Sequence, residues 1–354
     1  MKLSCCMIIR DEEENLPRCL DSIKDLVDEL IVVDTGSVDR SIEIAKSYGA
    51  KVFEHPWQDD FAFHRNQSFG YASGSWVLVL DADEELIAEN VTAEAFKSRL
   101  GKIHKDIAAL AVNIKEEREG TVTSWPGARF FRMSANPIYK GCVHNNCHYD
   151  GMVAMTDIEI IHYGYHLSPE KMAAKQKRTT GLLEKRINQD PDDYNALYYM
   201  AQMASNAKKF DDVIKYASKC LNLLPEKKKR NLQFYATLYL WGAQAYLALG
   251  DGGNALAWID KGLEFNPMDV DLNFLLTNLS VRCGWKDRTI SAGETYFEAI
   301  KQVESKEVTS KFENPYDMKG FIPRTMYFLG AVHQNEVKKW MTISTGGGNG
   351  TNSF

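Results

Sequence analysis

WVLVLDADEE, residues 76–85, runs five apolar residues straight into four carboxylates. An unbroken apolar run of this length reads as a strand buried on both faces. Carboxylates at its end are costly beside a low-dielectric interior unless something offsets their charge. The stretch is therefore either a solvated turn or a place where a cation binds.

The chain on either side repeats the same rhythm. LSCCMII (3–9) precedes a helical pattern of Leu16, Leu20, Ile23 and Leu26. ELIVVD (29–34) precedes Ile42, Ile44, Ala45 and Tyr48, and KVFE (51–54) precedes the amphipathic segment 61–71. Runs at 107–114 and 157–163 read as later strands. Strand–helix–strand spacing of this kind predicts right-handed crossovers and a mainly parallel sheet. Gly49 and Gly74 fall where helix C-caps are expected. Polar clusters follow the strands: Arg10-Asp11-Glu12, Asp34-Thr35-Gly36-Ser37 and Asp81-Ala82-Asp83. Open α/β sheets bind ligands outside the carboxyl ends of their strands.

From Ser168 onward only helical patterns remain, with Ser168 as N-cap and Pro169 at the first helical position. Asn195 to Pro225 and Ala243 to Pro267 each read as helix, turn, helix and proline. In the second unit Ala245, Tyr246, Leu249-Gly250-Asp251, Ala255-Leu256 and Asn266-Pro267 match a tetratricopeptide repeat. Residues 227–234 extend the spacing between the two units, and 269–303 read as a degenerate third pair. The expected domains are 1–167, an α/β domain; 168–309, an all-α repeat domain; and 310–354, an irregular tail ending in STGGGNGTNSF.

The 354 residues carry a net charge of −6, which argues against a dedicated nucleic-acid binder. No apolar run reaches the roughly 18 residues of a membrane span. The start, MKLSCCMIIRDEEEN, lacks the features of a secretory signal. Seven scattered cysteines do not form a disulfide framework. A cytoplasmic location is expected.

CMIIRDEEENLPRCLDSI, ELIVVDTGSVDRSIEIAKSYGAKV and WQDDFAFHRNQSFGYASGSWVLVLDADEEL, in this order, resemble the family 2 glycosyltransferases of GT-A fold. The resemblance covers residues 1–165 and points to a bacterial branch with tetratricopeptide repeats that includes peptide S-glycosyltransferases. It implies an inverting sugar transfer from a nucleotide-diphosphate donor, a UDP-sugar, with Mn2+ or Mg2+. Asp83 then contacts the metal, and Asp81 the ribose or the metal. Asp34 contacts the nucleobase or ribose, with Arg10 and Glu12 beside the nucleotide. Arg65, in the triplet HRN, binds the diphosphate, and His162 completes the metal site, with His166 second. On an extended chain Asp81 and Asp83 point the same way and can share a hard cation, which prefers oxygen ligands. Glu84 and Glu85 are expected to begin the next turn or face solvent. Arg65 could instead pair with a carboxylate such as Asp60.

The base departs from the family pattern. Asn145 stands where a carboxylate is expected, and an amide takes no proton at neutral pH. His144 or Asp150 could serve instead, or the acceptor could be a thiol that needs little help. The segment Cys142-x-His144-x-x-Cys147-His148 offers four zinc-type ligands but draws them from one stretch, whereas structural sites use two. The helical repeats favour a protein or peptide acceptor and offer a surface for a homodimer. The competing reading is a degraded, non-catalytic domain in a repeat-based interaction protein. A sugar nucleotidyltransferase would need a glycine-rich loop, and residues 8–16 contain no glycine.

Overall fold

A computed structural model describes residues 1–87, 92–118, 121–164, 169–224 and 236–304. The chain divides into two compact units, residues 1–182 and 183–354. The earlier boundary at 167 marks where strands give way to helices, and the first unit extends past it.

In the first unit β1 (Leu3–Ile9), β2 (Glu29–Asp34), β3 (Lys51–Glu54) and β4 (Trp76–Val79) alternate with α1 (Leu16–Ile23), α2 (Ser41–Ser47) and α3 (Phe61–Tyr71). Then come β5 (Glu84–Ile87), α4 (Ala93–Lys102), β6 (Ile107–Arg118), β7 (Thr121–Arg132), β8 (Ile138–Lys140), β9 (Asn146–His148) and β10 (Met152–His162). Eight strands form one sheet in the order β3-β2-β1-β4-β7-β6-β10-β5, and β8 pairs with β9 separately. All sheet strands run one way except β7 and β5, so the sheet is mainly parallel.

β1, β2 and β4 are buried on both faces, which is why their sequences are apolar without alternation. The adjacent Cys5 and Cys6 enter opposite cores: Cys5 packs with α1 and α4 side chains, Cys6 with α3. All seven cysteines are free. Gly49 takes the left-handed φ of +78° expected after α2. Gly74 does not cap a helix. It lies against the start of β1, where a Cβ would stand 2.7 Å from the Ser4 amide nitrogen.

The second unit holds three antiparallel helix pairs among its described residues. They are α6 (Tyr194–Asn206) with α7 (Phe210–Leu223), α8 (Ala236–Ala248) with α9 (Gly252–Phe265), and α10 (Val270–Arg282) with α11 (Lys286–Glu304). α5 (Pro169–Gln189) precedes them. Asp193, Asp251 and Asp269 each cap a helix by accepting the N–H three residues on. Small residues set the contact distance: Gly242 faces the Trp258 ring, and Gly262 faces Leu272 and Tyr239. Segment 227–234, the helix start at Ser168, and the tail 310–354 lie outside the described residues. No described helix is long and apolar enough to cross a membrane.

Candidate active site

The strand order reverses between β1 and β4, so a crevice opens at their carboxyl ends. Cys6 pairs with Val79, and the Leu80 N–H continues toward the Cys6 carbonyl. This register sets Arg10 to Glu12 beside Asp81 to Asp83. β6 and β10 end at the same edge, where His162 lies in register with both Glu116 and Glu84.

The segment after β4 is not extended. The Glu84 N–H donates to the Asp81 carbonyl at 3.0 Å and closes a turn. Asp81 and Asp83 therefore part company. The Asp81 carboxylate accepts from Arg65 Nη2 at 2.7 and 3.0 Å. Asp83 Oδ2 lies 3.4 Å from His162 Nε2, and its carbonyl accepts the Tyr163 N–H at 2.8 Å. Arg65 pairs with Asp81 and not with Asp60, whose side chain caps α3.

Glu84 corrects a second expectation. It neither faces solvent nor merely starts a turn: its side chain is 2% exposed. It accepts the Asp81 N–H at 3.0 Å and Arg129 Nη2 at 2.7 Å. Glu85 accepts from the Tyr163 hydroxyl at 2.7 Å. Arg129 arrives from β7, and nothing local in its sequence marks it as the partner of Glu84.

Charges here balance tightly. Burial raises the Asp81 carboxyl, but Arg65 and Arg129 outweigh it and hold the group below the ordinary carboxylate range. Burial opposes the Arg129 charge, and Glu84 more than restores it. His162 is buried enough to disfavour its cation, yet Asp83, Glu84 and Glu116 raise its pKa above the usual value. Glu116 Oε2 stands 3.9 Å from His162 Nδ1. The Nε–H groups of Arg65 and Arg129 have no hydrogen-bond partner among the described residues.

Gly164 explains why this corner can close. A Cβ there would overlap the Asp83 carboxylate and come within 2.5 Å of His162 Nε2. Asp83 and His162 are thus a converging oxygen and nitrogen pair that fits a divalent cation. Asp81 is held by Arg65, and no group of three His, Cys, Asp or Glu side chains is gathered for a metal among the described residues. The zinc-type segment is not gathered either: Cys142 Sγ contacts the Leu182 carbonyl and Cys147 Sγ the His148 carbonyl.

Asp34 turns inward. It is 2% exposed, and accepts from the Gly36 and Ser37 N–H groups at 2.9 and 3.0 Å and from the Ser37 hydroxyl. Arg10 is half-exposed beside Asp11. Glu12 accepts from Asn15 Nδ2 at 2.9 Å, and burial raises its carboxyl. His144, at a left-handed φ of +48°, is exposed on the loop after β8. That loop meets the start of α3, where the Phe61 N–H donates to the Cys142 carbonyl at 2.9 Å. Asp150 is elsewhere. It precedes β10, whose first residue Met152 pairs with the first residue of β6, so it sits at the opposite edge from His162. There its N–H donates to Ala135 and its carboxylate accepts from Asn136. His166 lies outside the described residues.

Residues 4–148 match the family model for glycosyl transferase family 2. The chain is 39% identical over 204 residues to a TPR repeat-containing protein of Synechococcus elongatus, covering 54% of this chain and 49% of that protein. It is 25% identical over 231 residues to the SPbeta prophage-derived glycosyltransferase SunS of Bacillus subtilis, covering 62% and 53%. The chain thus spans about half the length of these curated relatives. Among solved structures, Staphylococcus aureus TarS 1–349 with UDP-GlcNAc is similar at 13% identity and a TM-score of 0.36, over 86% of this chain and 92% of that one. Glucosyl-3-phosphoglycerate synthase of Mycobacterium tuberculosis, solved with Mn2+, UDP-glucose and phosphoglyceric acid, is similar at 26% identity and a TM-score of 0.26, over 32% and 44%. The match to glycosyl transferase family 2 thus falls on the sheet unit of this chain, over residues 4–148.

Proposed function

We propose that the chain transfers a sugar from a nucleotide-diphosphate donor, a UDP-sugar, to a protein or peptide acceptor with inversion at the anomeric carbon. The observation that carries this reading is the Asp83–His162 pair at the carboxyl edge of a family 2 domain. These two side chains would hold Mn2+ or Mg2+. A hard divalent cation there offsets the charge that grows on the departing diphosphate.

The chain's own residues carry the rest. Arg65 and Arg129, whose Nη2 atoms bond Asp81 and Glu84, place two guanidinium groups behind the edge of the crevice. Asp81 serves as their counter-charge, and Glu84 fixes both the Asp81 backbone and Arg129. Asp34 shapes the loop on the nucleotide side through its bonds to Gly36 and Ser37. His144 is the base in this reading. Its imidazole takes the proton of the acceptor hydroxyl or thiol as the nucleophile bonds to the anomeric carbon and the sugar–diphosphate bond breaks. The helical pairs form the extended surface on which a peptide could be held.

The test is UDP release from a panel of UDP-sugars with manganese. Release by the wild type and its loss in Asp83→Ala are expected. Absence of both release and donor binding sinks the enzyme reading and leaves the interaction protein.

A further inference from the structure

His64, on the first turn of α3, is 0% exposed and takes no part in the site described above. Both of its ring nitrogens are engaged. Nε2 accepts the Gln58 N–H at 3.3 Å, and Nδ1 lies 2.8 Å from Gln67 Oε1. A backbone amide only donates, so Nε2 offers a lone pair. The ring proton therefore sits on Nδ1 and is donated to Gln67. Trp57 stacks on the ring, with centroids 5.3 Å apart and planes at 21°, and Phe63 meets it edge-on.

The turn held in this way, residues 57–60, leads directly to the loop that carries His144. Trp57 Nε1 donates to Asp59 Oδ1 at 3.0 Å, and the Trp57 ring packs against Phe61 at 4.7 Å. Asp59 has a φ of +57°, a left-handed conformation that a non-glycine residue keeps only while its surroundings fix it. Asp60 then caps α3. The next residue, Phe61, donates its N–H to the Cys142 carbonyl at 2.9 Å. β8, which enters the same loop, is held separately: Asn66 bonds the Tyr139 N–H at 2.8 Å and its carbonyl at 3.0 Å. α3 thus grips the His144 loop at two points, and only the Phe61 bond adjoins the 57–60 turn.

A proton on Nε2 would set one N–H against another and leave a buried donor without an acceptor. Burial holds the His64 ring below the usual histidine range, and the charge of His55 on the loop after β3 adds to this. The Gln67 bond and the Asp60 charge at the start of α3 oppose it without prevailing.

We propose that His64 is a positioning residue for the His144 loop: its neutral ring holds the 57–60 turn against that loop, and protonation of the ring releases both. Only the bearing on catalysis rests on His144 as base; the release itself involves neither donor nor metal. The ordered turn keeps the ring neutral, whereas an opened turn lets it take a proton near the ordinary value of ~6.5. Opening is therefore constant above that value. Below it, opening grows by up to about tenfold per pH unit until the closed form is itself protonated.

Residue-resolved amide exchange of the full chain by NMR, corrected for the intrinsic pH dependence, tests this. From about pH 7.5 to about pH 5.5 the Gln58 and Phe61 amides should exchange up to about tenfold faster, and the Tyr139 amide should not. His64→Gln keeps an acceptor that does not titrate, and should leave the Gln58 and Phe61 rates flat across this range. Ring nitrogen shifts of the wild type at neutral pH should place the His64 proton on Nδ1. A proton found on Nε2 overturns the proposal without any variant. So does a Phe61 rate that ignores pH, or one that rises equally in His64→Gln, which would assign the effect to His55, Asp60 or His144. No donor is present in these measurements, so the transferase reading stands or falls separately, by UDP release.

Discussion

Arg65 reaches Asp81 with a single nitrogen, Nη2, placed 2.7 Å from one carboxylate oxygen and 3.0 Å from the other. The Arg65 side chain is 14% exposed and that of Asp81 is 34% exposed. Breaking a buried ion pair costs several kcal/mol, and partial solvation reduces it, so Arg65→Ala should lose about 2 kcal/mol. A double-mutant cycle with Asp81→Asn, read by urea unfolding, should give a coupling of about 1–2 kcal/mol. Additive losses would contradict the pairing.

Gly164→Ala tests the cation corner by geometry alone. The added methyl overlaps Asp83 and presses on His162. Manganese affinity, measured by titration calorimetry, should fall at least about tenfold, because the two side chains proposed to hold the ion cannot keep their present positions. Gly181→Ala, in open space on α5, is the control and should leave affinity unchanged.

His162 should give the unliganded protein a pH signature. Burial disfavours its charge, but Asp83 and then Glu84 and Glu116 prevail, and the folded pKa lies above the unfolded one. Its stabilising contribution is therefore complete below the unfolded pKa, near ~6.5, and fades as pH rises through the folded pKa. His162→Gln should cost more stability at about pH 5.5 than at about pH 9. Manganese needs the neutral ring, so its affinity should move the opposite way and increase with pH. A pH-independent stability difference would refute the assignment.

Glu29 offers a test away from the site. Its side chain is 2% exposed, and it accepts from Lys51 at 2.7 Å, Ser4 at 2.6 Å and the Ser73 N–H at 2.8 Å. Burial raises this carboxyl, but Lys51, Ser4 and Ser73 together hold it well below the ordinary range. The contribution is present above the unfolded pKa and is lost as pH falls toward the folded one. Glu29→Gln should cost about 3 kcal/mol at neutral pH, and the difference should shrink in acid. Denaturant melts at a series of pH values would show this.

In the helical unit, Gly242→Ala drives a methyl into the Trp258 ring. Overpacking of this kind costs about 1–3 kcal/mol. Hydrogen exchange should quicken in α8 and α9 and stay unchanged in β1 and β2. Equal loosening in both units would contradict independent cores.

Much of this architecture can be read from the chain because local burial and local pattern coincide. β1, β2 and β4 are apolar on both faces, and their polar ends fall in order at one edge. What escapes reading depends on partners distant in sequence. Glu84 looks like one of four equivalent carboxylates until β7 delivers Arg129 to it. Asp83 and Asp81 look alike until a turn separates them. Asp150 seems a candidate base by proximity in sequence, but β10 must run its full length between it and His162. α5 reads as the first helix of a repeat array, and long-range contacts of Lys175 with Gly164, Arg178 with Phe61 and Leu182 with Cys142 tie its start to the sheet unit.

β5 runs back from the Asp81–Asp83 turn and pairs with β10, so that Glu84 lies opposite His162. One half of the Asp83–His162 corner is synthesised early and the other much later, with the whole of β6 and β7 between them. A growing chain on the ribosome therefore carries its acidic turn long before the histidine exists. Asp83 has no His162 beside it until the last strand of the sheet emerges, whereas Asp81 and Glu84 already have Arg65 and Arg129 in the chain. Chain order thus leaves the corner incomplete until β10 has been made.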